Sequence, residues 1–303
     1  MYKSKTEIIL GLSKIKGIGS AKILDLYDTT IKKTDNISLI TNDLLLQYNI
    51  DLSPVWHDVE KDITYATSNG ISITTIADKN FPTISSLNVP KGDRPVILYF
   101  IGNISLLQSP DKNIAIIGTR TPDAIGTAAC RIITNIAVKN GFNTISGLAN
   151  GCDSLAHEET YNIGGKTIAV LPTPPYDTKI NKDLARNIIV SGGLLISEYL
   201  YPDKSKMEYS RNCSRRDKLV VMFGHKLVLV SGSTKSGSAI TVQNAIKYKI
   251  PVFAIWPDIN KPSECYELND KLIREHNATK IAFKTDHIDK SWLTAQNKKL
   301  SLF

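Results

Sequence analysis

The 303-residue chain lacks the short signatures that most quickly settle a protein's chemistry. It contains no GxGxxG and no GxxxxGK[ST], which disfavours a dinucleotide-binding Rossmann site and a P-loop nucleoside triphosphatase. It has no CxxC. Its four cysteines, Cys130, Cys152, Cys213 and Cys265, lie far apart without neighbouring histidines, a pattern of reduced thiols rather than zinc ligands or disulfides. No metal site is expected. Long apolar runs are missing too: MYKSKTEIILGLSKIKG interrupts its run after a few residues, and no later segment nears the roughly 20 residues that cross a bilayer. No membrane association or secretion is expected, and the expected location is cytoplasmic.

What is present suits a soluble globular protein. With 42% hydrophobic and 22% charged residues the chain can bury a substantial core in one large or two modest domains. The formal net charge is +8, a bias that suits a polyanionic partner. Half of that charge falls in KSKMEYSRNCSRRDK, residues 204 to 218, where Lys204, Lys206, Arg211, Arg215, Arg216 and Lys218 face only Glu208 and Asp217. Such a run is either a solvated loop or a contact for phosphates. Tyr201 and Tyr209 add the stacking faces that single-stranded nucleic acid uses.

Apolar spacing predicts two short helices over residues 5 to 28, broken at Lys16-Gly17-Ile18-Gly19-Ser20. LSKIKGIGSAKI resembles a helix-hairpin-helix element, whose Gly17 and Gly19 either expose amides to a phosphate or serve only to pack. Helical pieces continue to residue 70, so residues 1–70 are expected to form a small N-terminal helical domain. Strand-like runs follow at 71–78, 95–102, 113–119, 142–147, 166–172, 193–199, 226–232 and 250–256. Most are apolar on both faces and separated by helical patterns. The expected fold is therefore α/β, a doubly wound, mostly parallel, Rossmann-like sheet over residues 71–285.

Ligands of such sheets bind beyond the carboxyl ends of the strands, so the residues directly after each run are the ones to question. They are Gly118, Thr119 and Arg120 after the first long run, then Ser146, Gly147, Asn150, Gly151 and Asp153, and later Lys235, Ser236, Gly237 and Ser238. A glycine at such a turn can be purely geometric. Three turns rich in glycine, hydroxyls and cations, each before a helix, favour an anion. Asp153 is the exception, and is expected to cap the helix that continues through Leu155 and His157.

IAIIGTR, TISGLANGCDSLAH, GGKTIAVLP, GGLLISEY, SRRDKLV and SGSTKSGSAIT, in this order and spacing, resemble the DNA-processing protein A family, also called Smf, of the SLOG superfamily. The match runs from NFPTI to ELNDKLIREHNATKI. The resemblance implies a non-catalytic single-stranded DNA-binding protein that dimerises, protects the strand and hands it to the RecA recombinase in recombination or transformation. It also implies that Arg120 and the cations Arg215, Arg216 and Lys218 face phosphates. The alternative is a SLOG-type binder of a nucleotide or nucleotide derivative, including an enzyme or a defence sensor.

The chain departs from the family pattern at several points. GTR stands for GSR, Asn150 replaces a common arginine, Asp217 replaces an amide, Pro172-Thr173-Pro174-Pro175 replaces a glycine turn, and Cys213-Ser214 replaces an aromatic-proline pair for which Tyr209 can substitute. The PGGxGTxxE motif of the superfamily's phosphoribohydrolases is missing. With it goes the carboxylate for acid-base work, and His157 reads as a packed side chain rather than a triad member. No catalysis and no cofactor are expected. Residues 286–303 read as a short helix or tail, too few for a winged helix.

Overall fold

A computed structural model describes residues 2–258, 263–276, 278–284, 287–288 and 290–294. The chain opens with α1 (Lys5–Lys14), α2 (Ser20–Thr29), α3 (Ile37–Tyr48) and α4 (Trp56–Ser68). Side chains cap two of them: Ser4 accepts from the Glu7 amide at 3.2 Å, and Asn36 from the Leu39 amide at 3.1 Å. Ile8, Leu12, Ile23, Leu26, Ile40, Leu44 and Val59 form their shared core, joined by Val96 from the sheet side. Between α1 and α2 the chain turns at Gly17, whose φ of +90° suits glycine; Gly17 and Gly19 are both exposed.

The sheet begins with β1 (Ser72–Thr75) and β2 (Ile97–Gly102), followed by β3 (Asn113–Ile117), α5 (Ala124–Lys139), β4 (Asn143–Ser146), α6 (Cys152–Asn162), β5 (Thr167–Leu171), α7 (Lys182–Val190) and β6 (Leu194–Ser197). It continues through α8 (Lys206–Phe223), β7 (Lys226–Leu229), α9 (Gly237–Lys247), β8 (Val252–Pro257), α10 (Glu267–Glu275), β9 (Thr279–Lys284) and β10 (His287–Ile288). Spatially the order is β1-β2-β6-β5-β4-β3-β7-β8-β9-β10. The strands from β6 across to β9 run parallel, while β1, β2 and β10 are antiparallel additions at the two edges.

The fold is the expected doubly wound α/β sheet, and residue alternation explains it. In β3, Ala115 and Ile117 pack with α8, α9 and α10 on one face, while Ile114 and Ile116 pack with α5 and α6 on the other. A fully buried Leu, Ile or Phe contributes about 1.5–3 kcal/mol, so strands covered on both sides read as unbroken apolar runs. The chain winds from β3 out to β6, then returns to place β7 on β3's other side. This makes β3 the point where strand order reverses, the position where open sheets leave a crevice.

One expectation needs correction. Residues 204 to 218 are not a loop: Ser205 caps α8 by accepting from the Glu208 amide at 3.1 Å, and the basic run lies along that helix. After residue 285, where a short helix or a tail was expected, the tail gives way to a short 3-10 helix at Ser291–Leu293. Within its described residues, Trp292 is buried with its ring centroid 6.0 Å from that of Phe253, and Lys226 donates to the Trp292 and Leu293 carbonyls. The other residues of 286–303 lie partly outside the described residues.

Candidate nucleic-acid interface

The connections leaving β3, β4 and β7 are laced together by their own backbone groups. The Thr119 amide donates to the Ser231 carbonyl at 2.8 Å, the Cys152 amide to the Thr119 carbonyl at 3.1 Å, and the Ser238 hydroxyl to the Gly118 carbonyl at 2.9 Å. Gly151 lies so close beneath Thr119 and Arg120 that a Cβ would strike their backbone atoms, and its φ is +82°. At the far end of the Arg120 turn, Asp123 caps α5 by accepting from the Gly126 amide at 2.7 Å. It also accepts from the Ser263 hydroxyl at 2.9 Å and the Tyr266 phenol at 3.2 Å. The three turns form one stiff rim.

Opposite the rim stands α8, and between them lies an open cleft of about 460 Å³. Of the sequence-derived candidates, Gly118, Thr119, Arg120, Gly147, Asp153, Arg216, Ser236, Gly237 and Ser238 line it, joined by Ser210, Cys213, Ser214, Asp217 and Thr241. The start of α9 is at Gly237, where no side chain caps the helix; the Ser236 hydroxyl donates instead to the Ser233 carbonyl at 2.7 Å. An uncapped N-terminus carries positive dipole charge and amides without intrahelical partners. Exposed Lys235 precedes it on the same turn.

Other candidates lie outside the cleft lining. Ser146 is fully buried and donates to the Ile116 carbonyl at 2.7 Å, and Asn150 is exposed beyond the rim. Arg215 turns away to form two 2.7 Å hydrogen bonds with Glu198. That fork holds its guanidinium protonated even more firmly than usual, despite the opposing effect of burial. Lys218 pairs with Asp93 at 2.6 Å, and Lys247 reaches the same carboxylate at 2.9 Å.

Arg216 lines the cleft but is only 8% exposed. It donates to the carbonyls of Gly147 and, at 3.1 Å, Val170, and its Nε pairs with Asp217 at 3.0 Å. It works as a strut between α8 and the carboxyl ends of β4 and β5. Asp153 sits in the first turn of α6 and does not cap that helix, because Gly151 holds the cap position. Its Oδ2 accepts from the Gly147 and Ala149 amides at 3.1 and 3.3 Å, which ties down the turn. Burial pushes its carboxyl up, against the pull of the Arg216 guanidinium. Burial likewise raises Asp217, opposed by Arg216 and by Arg120.

The exposed cation over the cleft is therefore Arg120, which joins none of the ion pairs among the described residues. It shares a second, shallow hollow with Lys179 and Tyr209. Lys179 was not legible as a site residue, because it stands eight positions beyond the end of β5, in a segment whose sequence announces only prolines. Its ammonium lies 4.9 Å from the Tyr209 ring centroid.

His157 is fully buried, its Nδ1 2.6 Å from the Thr167 hydroxyl, and burial together with Arg216 pulls its pKa down to about 3. It is a packed side chain between α6 and β5. Among the described residues, no group of three or more His, Cys, Asp or Glu side chains is placed to hold a metal ion, and no helix is long and apolar enough to cross a membrane.

Fold and cleft together define a Rossmann-like α/β protein with an amide-rich, partly cationic crevice at the reversal point of its sheet. The particular family follows from comparison with known proteins. The profile of DNA recombination-mediator protein A matches residues 72–291, and the chain belongs to that family. It is 32% identical over 184 residues to Protein Smf of Synechocystis, an alignment covering 57% of this chain and 44% of the relative. To DNA processing protein DprA of Bacillus subtilis it is 28% identical over 193 residues, 61% of each chain. The chain spans about half the length of the curated relatives it matches. Among solved structures, DNA processing protein A of Streptococcus pneumoniae has the same fold, with a TM-score of 0.69 at 24% identity over 93% of this chain and 95% of that one. The Helicobacter pylori protein, described for its single-stranded DNA binding mode, gives a TM-score of 0.56 at 24% identity over 75% of this chain and 96% of that one.

Proposed function

We propose that this protein binds single-stranded DNA in the crevice at the strand ends, as a non-catalytic DNA-processing protein of the cytoplasm. One observation carries the reading. Arg120, in none of the ion pairs among the described residues, the uncapped start of α9 and the Thr119 hydroxyl converge on one open cleft. These groups match phosphate oxygens, so the affinity in this reading is mainly electrostatic. Binding rather than turnover is supported by how the cleft's carboxylates are used. Asp153 is engaged by two amides and Asp217 by Arg216, so both carboxylates serve the frame of the cleft. Family membership and the description of the Helicobacter pylori relative point the same way. Within this reading the protein acts as a homodimer and passes the strand to a RecA-type recombinase; both steps rest on the family resemblance.

The test is fluorescence anisotropy with labelled oligothymidine across a salt series. Tight binding that weakens steeply as salt rises is the expected result. Thermal stabilisation by a mononucleotide, with no response to oligonucleotide, would overturn the proposal in favour of a nucleotide-binding protein.

A further inference from the structure

Beyond the cleft, three tyrosines from three separate segments meet on the surface. Tyr65 lies on α4, Tyr176 between β5 and α7, and Tyr201 just after β6. The Tyr65 ring centroid is 4.6 Å from that of Tyr201 and 6.2 Å from that of Tyr176, the second pair meeting edge-on. Their hydroxyls are tethered: Tyr65 and Tyr176 share a 2.5 Å hydrogen bond, and Tyr201 donates to the buried Asp62 at 2.7 Å. Yet Tyr176 and Tyr201 remain 36% and 43% exposed. A seam that served only to join helices to sheet would bury these rings. Here the polar ends are engaged while Tyr176 and Tyr201 still face water in part.

The chain links the cluster to the cleft. Arg120, Lys179 and Tyr209 line one hollow, Lys179 lies over the Tyr209 ring, and Tyr176 is three residues from Lys179, within about 11 Å along the chain. Asp203 pairs with Lys179 at 2.6 Å and Asp62 with Lys14, while Asp177 beside Tyr176 and Asp58 near Tyr201 add negative charge. With no excess positive charge, this surface suits the flat faces of bases rather than phosphates.

We infer that Tyr65, Tyr176 and Tyr201 form a base-stacking platform that takes the bases of a single strand leaving the phosphate cleft past Lys179 and Tyr209. The inference rests on the reading of the cleft as a single-stranded DNA site and names the path of that strand. Because the hydroxyl tethers already hold the rings, little conformational freedom is lost when a base lands on them. The platform adds affinity only to strands long enough to reach it, and it adds no salt dependence, since no phosphate counterion is released there.

The experiment compares oligothymidines of about 6 and about 16 nucleotides, a span within that of known single-strand grooves, over a salt series. The variants are Tyr176→Ala, Tyr176→Phe and Arg120→Ala, with thermal melting to verify folding. Tyr176→Ala is expected to weaken the long strand about tenfold and the short one less than about twofold, leaving the salt slope unchanged, while Tyr176→Phe keeps most of the affinity. Iododeoxyuridine in the long strand should photo-crosslink to Tyr176 or Tyr201. If Arg120→Ala weakens both lengths and Tyr176→Ala weakens neither, the cleft stands and the platform falls. Equal loss at both lengths for Tyr176→Ala also overturns the platform, because the residue would then act through the cleft. If the unaltered protein binds neither length, the reading of the cleft fails first.

Discussion

Arg216, buried on α8, donates its guanidinium N–H to the carbonyl of Gly147, the first residue beyond β4. An arginine that sequence comparison assigns to phosphates is thereby tied into the frame of the cleft, where it also balances Asp153 and Asp217. A Cβ on Gly147 would strike that guanidinium, so a larger residue there must displace the Arg216 side chain.

Removing the strut should cost stability before it costs binding. Arg216→Met leaves two carbonyls and the Asp217 carboxylate without their partner, and breaking a buried ionic network of this kind costs about 3–5 kcal/mol. The Arg216→Lys variant should recover only a small part of this, because an ammonium cannot span the same fork. Urea unfolding midpoints measure both.

Arg120→Ala should do the reverse. The side chain is exposed and holds nothing together, so stability should stay within about 0.5 kcal/mol. Affinity for oligothymidine should fall, and the slope of log affinity against log salt should shrink by about 1, the signature of one lost phosphate contact. An unchanged slope would count against Arg120 as that contact.

Asp217→Asn should strengthen binding about fivefold near neutral pH, by removing a carboxylate that faces incoming phosphates across the cleft, roughly 1 kcal/mol at the dielectric of a partly buried site. Burial raises this carboxyl, and an arriving anion raises it further. Protonated protein therefore binds more tightly, and wild-type affinity should increase as pH falls through that raised value. The asparagine variant should show a flatter profile in anisotropy titrations from neutral to mildly acid pH.

Asp93 links the segment before β2 to α8 and α9. Burial works to raise its carboxyl, but hydrogen bonds from Lys218, Lys247 and Tyr248 outweigh that and hold it at about 2. A depressed carboxylate contributes stability that is fully present above its unfolded value, near 4, and is lost as pH falls towards 2. Asp93→Asn should therefore destabilise by at most about 2 kcal/mol at neutral pH, with the difference from wild type closing between pH 4 and pH 2 in denaturant titrations.

Much of the architecture was legible in the chain. The break at residues 16 to 20 separates α1 from α2, and the runs from 113 to 256 became β3 through β8 because strands buried on both faces leave an apolar signal. Strand β9, between β8 and β10, gave no such signal: TKIAFK buries only alternate residues, and its lysines mask the pattern. The basic run of 204 to 218 read as an exposed stretch because its charges outnumber its apolar residues. As a helix it turns Arg215, Arg216 and Lys218 towards partners that no local pattern reveals.

By itself, the order of residues determined the sheet, the glycine turns at its carboxyl edge and the kind of ligand those turns suit, since strand periodicity and turn chemistry are local properties. Which cations stay free for that ligand was decided only by the tertiary structure. Glu198 takes up Arg215 across 17 positions, Gly147 takes up Arg216 across 69 and Asp93 takes up Lys218 across 125, while Arg120 and Lys235 stay exposed. Charge pairing depends on distance in space, and the fold alone sets that distance.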